Sequence, residues 1–196
     1  MHGTTAEGPG LRTAIWVQGC TIRCAGCINP HLFSSRGGYL VDPAAVVHEA
    51  LEHGVEGITL LGGEPMEQPE AGFALASLAR ERGLGVVCFT GFTREALTSA
   101  EQLKFLEQID LLVDGPFVAD APEPARVLVG STNQRFIHLT ERYRDYDPLR
   151  SHNRIELRLN LDGTIDAAGF LRTDELRTLS KELGTRRTRG QQHPHP

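Results

Sequence analysis

The stretch TAIWVQGCTIRCAGCINP, from Thr13 to Pro30, sets an apolar strand directly against a cysteine cluster. TAIWVQ (Thr13 to Gln18) has the length and apolar content of a buried strand. Cys20, Cys24 and Cys27 follow in a C-x3-C-x2-C array. Gly19 and Gly26 stand in the same segment, so the loop can wrap one compact inorganic object. Thiolates are soft ligands that suit zinc or an iron–sulfur cluster. A structural zinc normally takes four ligands. The fourth would have to be Cys88 or a histidine such as His31, and no second C-x2-C pair lies nearby. On a cubane cluster, three protein ligands leave one iron open for chemistry, whereas four thiolates chiefly carry electrons. The residues alone leave both readings standing.

Outward from this loop, strand-length apolar runs alternate with helical segments. Asp42 as N-cap and Pro43 in the first turn open a helix whose apolar face is Val46, Val47, Ala50 and Leu51, and Gly54 stops it. GITLL (Gly57 to Leu61) is a buried strand, followed by a helix from about Pro69 to Arg82 and by the strand GVVCF (Gly85 to Phe89). A helical stretch between Arg94 and Gln108 leads to IDLLV (Ile109 to Val113), and QRFIHL (Gln134 to Leu139) offers another strand. This order predicts an α/β fold of parallel strands joined by right-handed helical crossovers, with ligands at the carboxyl ends of the strands. Too few strands are present for a full eight-unit barrel. The expectation is a partial, open β/α barrel, with a flat doubly wound sheet as the alternative. Past Arg150 the pattern changes: RIELRLNLDGTID alternates apolar and polar residues around Asp162-Gly163, a hairpin signal. A helix from Thr173 to Leu183 closes this short hairpin–helix extension (about 151–183). The expectation is one domain over 1–183, with the motifs in about 8–140 and a disordered tail over 184–196.

Composition narrows the function classes. Three of the four cysteines fall within eight residues, and the opening MHGTTAEGPG has neither a basic start nor an apolar core, so a metal site is preferred to disulfides. A net charge of -5 offers no attraction to a phosphate backbone, which argues against nucleic acid. No apolar run approaches the roughly 20 residues of a membrane-spanning helix. The expected location is the cytoplasm.

The array stands inside a longer string, EGPGLRTAIWVQGCTIRCAGCINP, which resembles the radical S-adenosylmethionine (radical SAM) enzymes that activate glycyl radical proteins. Downstream, LLGGEPM (Leu60 to Met66), FTGFTREAL (Phe89 to Leu97), IDLLVDGPFV (Ile109 to Val118) and GSTNQRFIHL (Gly130 to Leu139) are similar, in the same order, to the anaerobic ribonucleotide reductase branch of that family. The resemblance implies one [4Fe-4S] cluster on Cys20, Cys24 and Cys27, with S-adenosylmethionine bound at the open iron through its amino and carboxylate groups. Reductive cleavage would give methionine and a 5′-deoxyadenosyl radical, which takes a hydrogen atom from a backbone glycine of a partner. The implied partners are a glycyl radical enzyme, such as the large subunit of anaerobic ribonucleotide reductase, and a flavodoxin- or ferredoxin-like electron donor. No catalytic side chain is implied beyond the cluster and cofactor.

The same resemblance points to cofactor contacts. Gly62 and Gly63 let backbone approach a ligand, and Glu64 can accept from the ammonium of the methionine moiety. Thr90 ends the next strand and Asp114 the one after, where Asp114 contacts cofactor or a cation, or else caps the turn before Gly115-Pro116. Asn133, with Gln134, belongs to the cofactor pocket or to a partner contact. Two departures stand out. Many radical SAM proteins carry an aromatic residue just before the last cysteine, where Gly26 stands here, so adenine must be held otherwise. Glu7 replaces the usual Asp before the first G-x-G. Two other readings remain: radical chemistry on a small molecule or peptide, prompted by the C-terminal extension, and a non-catalytic iron–sulfur or zinc protein.

Overall fold

The computed structural model describes residues 1–161 and 163–170, together with Thr178 and Lys181. Four strands, β1 (Arg12–Val17), β2 (Gly57–Gly62), β3 (Gly85–Phe89) and β4 (Leu111–Asp114), pair in parallel and in consecutive order. A parallel neighbour requires a long crossover, and helices supply it: α1 (Pro43–Glu52), α2 (Pro69–Glu81) and α3 (Ala100–Leu106). Right-handed crossovers that always advance in one direction put every helix on the same face of the sheet. The buried core shows this, with Val47 and Ala50 of α1, Leu75 and Ala79 of α2 and Phe105 of α3 all packed against Ile58, Leu60, Val86, Cys88 and Leu112. The order lacks the reversal that defines a doubly wound sheet.

The helix starts follow from local chemistry. Asp42 accepts from the Ala44 N–H at 3.0 Å, as expected of the N-cap of α1. Val47 and Ala50 of its apolar face are buried, and Val46 and Leu51 pack beside them. The continuous helical stretch expected between Arg94 and Gln108 is instead broken. A 3-10 turn spans Arg94–Ala96, and α3 begins only after Ser99, which forms a reciprocal capping box with Gln102. Such a box satisfies two free N–H groups at once and fixes the start of a helix three residues upstream of its glutamine.

The fifth strand, β5 (Arg135–His138), pairs antiparallel to β4, a correction to the all-parallel expectation. Residues 115–134 contain no helix, and without a crossover the chain can only fold back on the strand it has left. Beyond it, β6 (Ile155–Leu159) and β7 (Ile165–Gly169) form the expected hairpin as a separate two-stranded sheet. Its turn is closed by Asn160 N–H to Thr164 C=O at 2.9 Å, with Gly163 at φ +82°. The helix expected over 173–183 and the tail over 184–196 lie outside the described residues, apart from Thr178 and Lys181, and so does Asp162 of the turn. Among the described residues no helix is long and apolar enough to cross a membrane.

Candidate active site

The parallel register places the carboxyl ends of β1, β2, β3 and β4 along one edge: Val17 lies opposite Gly62, Leu60 opposite Cys88, and Phe89 opposite Val113. Each strand then releases one of the motifs read above. β1 leads into the cysteine loop, β2 into Gly63-Glu64, β3 into Thr90-Gly91 and β4 into Gly115. These segments wall a cavity of about 750 Å³, a size suited to a cofactor. Cys20, Cys24, Cys27, Gly62, Gly63, Glu64 and Thr90 all line it.

The cysteine loop is tied down at both ends. Gly19 N–H donates to Leu32 C=O at 2.9 Å and Cys20 N–H to Phe33 C=O at 3.2 Å, which closes the loop on itself. The segment after β2 fixes its position: Gly63 N–H donates to Val17 C=O and Glu64 N–H to Gly19 C=O, both at 2.8 Å. Gln68 donates to Gln18 C=O at 2.7 Å. Glu67 accepts from the N–H and hydroxyl of Thr21. Glu67 and Gln68 escaped the reading of the sequence, since an acid and an amide beyond a G-G-E turn carry no spacing signal; both are half-buried. A Cβ on Gly63 would sit 2.7 Å from Val17 O and closer still to Gly19 O, so this glycine permits backbone to meet backbone.

All three loop cysteines are free and half-buried. Burial pushes the Cys27 thiol up, an effect softened by the Asn29 N–H at 3.4 Å from its sulfur and reinforced by Cys24 and Cys20 nearby. A thiol in this state is readily deprotonated only against a positive partner, which a metal provides. Among the described residues no three His, Cys, Asp or Glu side chains converge as a single-ion site requires. Cys20, Cys24 and Cys27 nonetheless line the same cavity. Cys88, the possible fourth zinc ligand, is fully buried in the core between sheet and helices, and His31 is exposed.

Glu64 joins two strand ends. One carboxylate oxygen accepts from Met66 N–H at 2.8 Å and the Thr90 hydroxyl at 2.7 Å; the other accepts from Gly91 N–H at 2.8 Å. Burial raises its pKa to about 7 against the pull of these donors. The second oxygen keeps an acceptor position for a ligand. Asp114 is also buried, but it accepts from Arg94 N–H at 2.6 Å and forms a two-point ion pair with Arg135. Asn133 is exposed and donates to Pro116 C=O at 2.7 Å. Neither lines the cavity, although their neighbours Gly115 and Gln134 do.

Two further lining residues stand out. The Phe117 ring is flanked by two glycines: a Cβ on Gly26 would lie 3.3 Å from it, and one on Gly130 2.9 Å. Glu7 is buried at 3% exposure, accepts from Gly169 N–H of β7, and has its pKa raised by burial to about 7. The hairpin thus closes one side of the cavity, with Ala167, Gly169 and Phe170 lining it.

Comparison with known proteins bears on what such a site holds. Residues 6–137 match the family described as a 4Fe-4S single cluster domain, so the class is that of a protein with one iron–sulfur cubane. The anaerobic ribonucleoside-triphosphate reductase-activating protein of Escherichia coli (strain K12) is 30% identical over 142 residues, covering 68% of this chain and 92% of that protein. The protein of the same name from Salmonella typhimurium (strain LT2) is 32% identical over 143 residues, with the same coverage, and that from Enterobacteria phage T4 is 30% identical over 138 residues, 66% of this chain and 85% of the phage protein. The chain belongs to the 4Fe-4S single cluster family, together with these reductase-activating proteins.

Proposed function

We propose that this chain is a radical SAM activase that installs a glycyl radical on an anaerobic ribonucleoside-triphosphate reductase. One observation carries the reading. Three cysteines of the four, and these three alone, face a cofactor-sized cavity at the carboxyl edge of a consecutive β/α sheet, in a chain 30% identical to proteins of that name. Cys20, Cys24 and Cys27 hold the [4Fe-4S] cluster and leave one iron without a protein ligand. When bound there, the cluster supplies an electron for reductive cleavage of S-adenosylmethionine, and the radical so generated takes a hydrogen atom from a glycine of the reductase.

The chain's own residues bind, orient and shield. Glu64 offers its remaining acceptor position to the ammonium of the methionine moiety, while Thr90 and Gly91 hold the carboxylate in place. Gly62 and Gly63 bring the backbone of β2 up to the cysteine loop. Phe117 presents an aromatic surface for adenine in place of the one that position 26 lacks. Asp114 and Asn133 order the cavity wall through Arg94, Arg135 and Pro116. The sheet is the open β/α barrel of this enzyme type, and 1–183 acts as one domain. A flavodoxin- or ferredoxin-like protein delivers the electron in the cytoplasm.

The hairpin that walls the cavity lies beyond the matched residues and favours a second reading, in which the substrate is a small molecule or peptide. Anaerobic reconstitution followed by reduction with S-adenosylmethionine and the cognate reductase separates them. The activase reading requires 5′-deoxyadenosine and a glycine-centred radical signal. Cleavage without that signal favours the second reading, and bound metal without cleavage leaves a non-catalytic protein.

A further inference from the structure

The cavity already holds a backbone glycine of this chain. Gly169, at the end of β7, lines it together with Ala167 and Phe170. Its φ is +103°, and a Cβ there would run into the Arg154 carbonyl, so the bend that carries the chain along the cavity requires glycine. The Gly169 N–H donates to the buried carboxyl of Glu7, and the Asn153 side chain donates to the next carbonyl, that of Phe170, at 2.9 Å. The Phe170 ring in turn lies 3.5 Å from where a Cβ on Gly130 would stand. The end of β7 thus bridges from the N-terminal segment to the loop at Gly130.

A cavity of about 750 Å³ has the size of a site for one small ligand. With S-adenosylmethionine in it, a polypeptide that brings its glycine to the reacting atoms has to take the place of a segment that now lines the cavity. The strands β1 to β4 cannot leave, since they carry the core, and Val127, Leu128 and Val129 of the loop before Gly130 are buried. The hairpin can. Among its described residues Ala168 alone is buried, and polar bonds tie it to the N-terminal segment: Arg158 donates to the carbonyls of His2 and Gly3, Arg154 to the Thr5 hydroxyl, and Gly169 to Glu7. Segments that bury little apolar surface are the first to open. Resting on the activase reading above, we propose that the end of β7 is an intramolecular stand-in for the glycine segment of the protein substrate, an autoinhibitory strap that fills the cavity wall until the reductase displaces it. While in place, the strap keeps solvent and stray hydrogen donors away from the cofactor. The family match ends at residue 137, so the strap lies outside the cluster domain.

The test uses the full chain, reconstituted anaerobically with S-adenosylmethionine, and its first arm needs no variant. Amide hydrogen exchange is followed across residues 163–170 with and without the reductase large subunit. Displacement predicts exchange about tenfold faster or more in the complex, because the Gly169 N–H leaves Glu7. Unchanged or slower exchange overturns the proposal, since the hairpin then stays as a fixed wall. Arg158→Ala gives the second readout. Arg158 does not line the cavity, so formation of 5′-deoxyadenosine with a chemical reductant and no partner stays at the wild-type rate. A strap that holds most molecules closed lowers the apparent affinity for the partner in proportion to the open fraction. Loosening it therefore lowers the reductase concentration for half-maximal glycyl radical formation by about threefold or more. A concentration that is unchanged or higher, with cleavage intact, overturns the proposal, because a hairpin that helps to bind the reductase gives that sign. Should Arg158→Ala fail to fold, the exchange measurement on the wild type decides alone. If the wild-type chain neither cleaves S-adenosylmethionine nor activates the reductase, the activase reading itself fails and the strap with it, a result that is separate because it precedes any comparison of exchange or variants.

Discussion

Glu67 accepts the backbone N–H of Thr21 on both carboxylate oxygens, each at 3.1 Å, and Thr21 directly follows the first cysteine of the loop. The contact clamps the cysteine loop to the turn after β2 by a charge-assisted bond in an exposed setting. Such bonds contribute about 1 kcal/mol when solvent competes for them. Glu67→Ala therefore releases the cluster to a chelator about fivefold faster than the wild type, measured by iron absorbance. Glu67→Gln, which keeps one acceptor, lies between.

Gly63→Ala meets a harder obstacle. Its Cβ would press on two backbone carbonyls that belong to β1 and to the cysteine loop, so neither can yield without moving a cysteine. Denaturant unfolding of the metal-free chain should show a loss of about 2–3 kcal/mol, in the range of overpacking in a closed interior. Iron content after reconstitution falls with it.

The buried carboxyl of Glu7 makes stability depend on pH. Its pKa is about 7 in the folded chain against 4.5 for an ordinary glutamate, because burial disfavours the charge. Between those values the folded state keeps a proton that the unfolded state releases, so stability contributed below pH 4.5 is lost as pH rises and is gone above about 7. Gln at this position stays neutral and can still accept from Gly169. Glu7→Gln thus gains on the wild type as pH rises through this window, by at most about 3 kcal/mol, in matched thermal unfolding series.

The cysteines divide three to one. Substituting Cys20, Cys24 or Cys27 by Ala abolishes cleavage of S-adenosylmethionine, measured as 5′-deoxyadenosine. Cys88→Ala keeps it, and loses about 1 kcal/mol of stability from the small cavity left in the core.

Much of this was legible in the chain itself. The strand-and-helix alternation gave β1 to β4 and their helices, because buried parallel strands are nearly continuous apolar runs. The cysteine array and G-G-E announced their place at strand ends. The direction of β5 was hidden, since the tetrapeptide RFIH carries no mark of its pairing direction and only the absence of a crossover helix decides it. The hairpin's alternation marked its strands but not which face turns inward, a choice made by Arg158 and Glu7 through contacts some 150 residues apart in sequence. Asp114 and Arg135 are a similar case: their ion pair spans two strands, so neither residue by itself tells whether the carboxylate is free to meet a ligand.

The most direct measurement is Mössbauer and electron–nuclear double resonance spectroscopy on the anaerobically reconstituted, iron-57-enriched chain, with and without S-adenosylmethionine labelled at its amino nitrogen. Three thiolates and one vacant iron predict a single distinct iron that changes on addition of the compound and couples to the labelled nitrogen. Four alike irons that ignore the compound, or a fourth protein ligand on the cluster, would contradict the account.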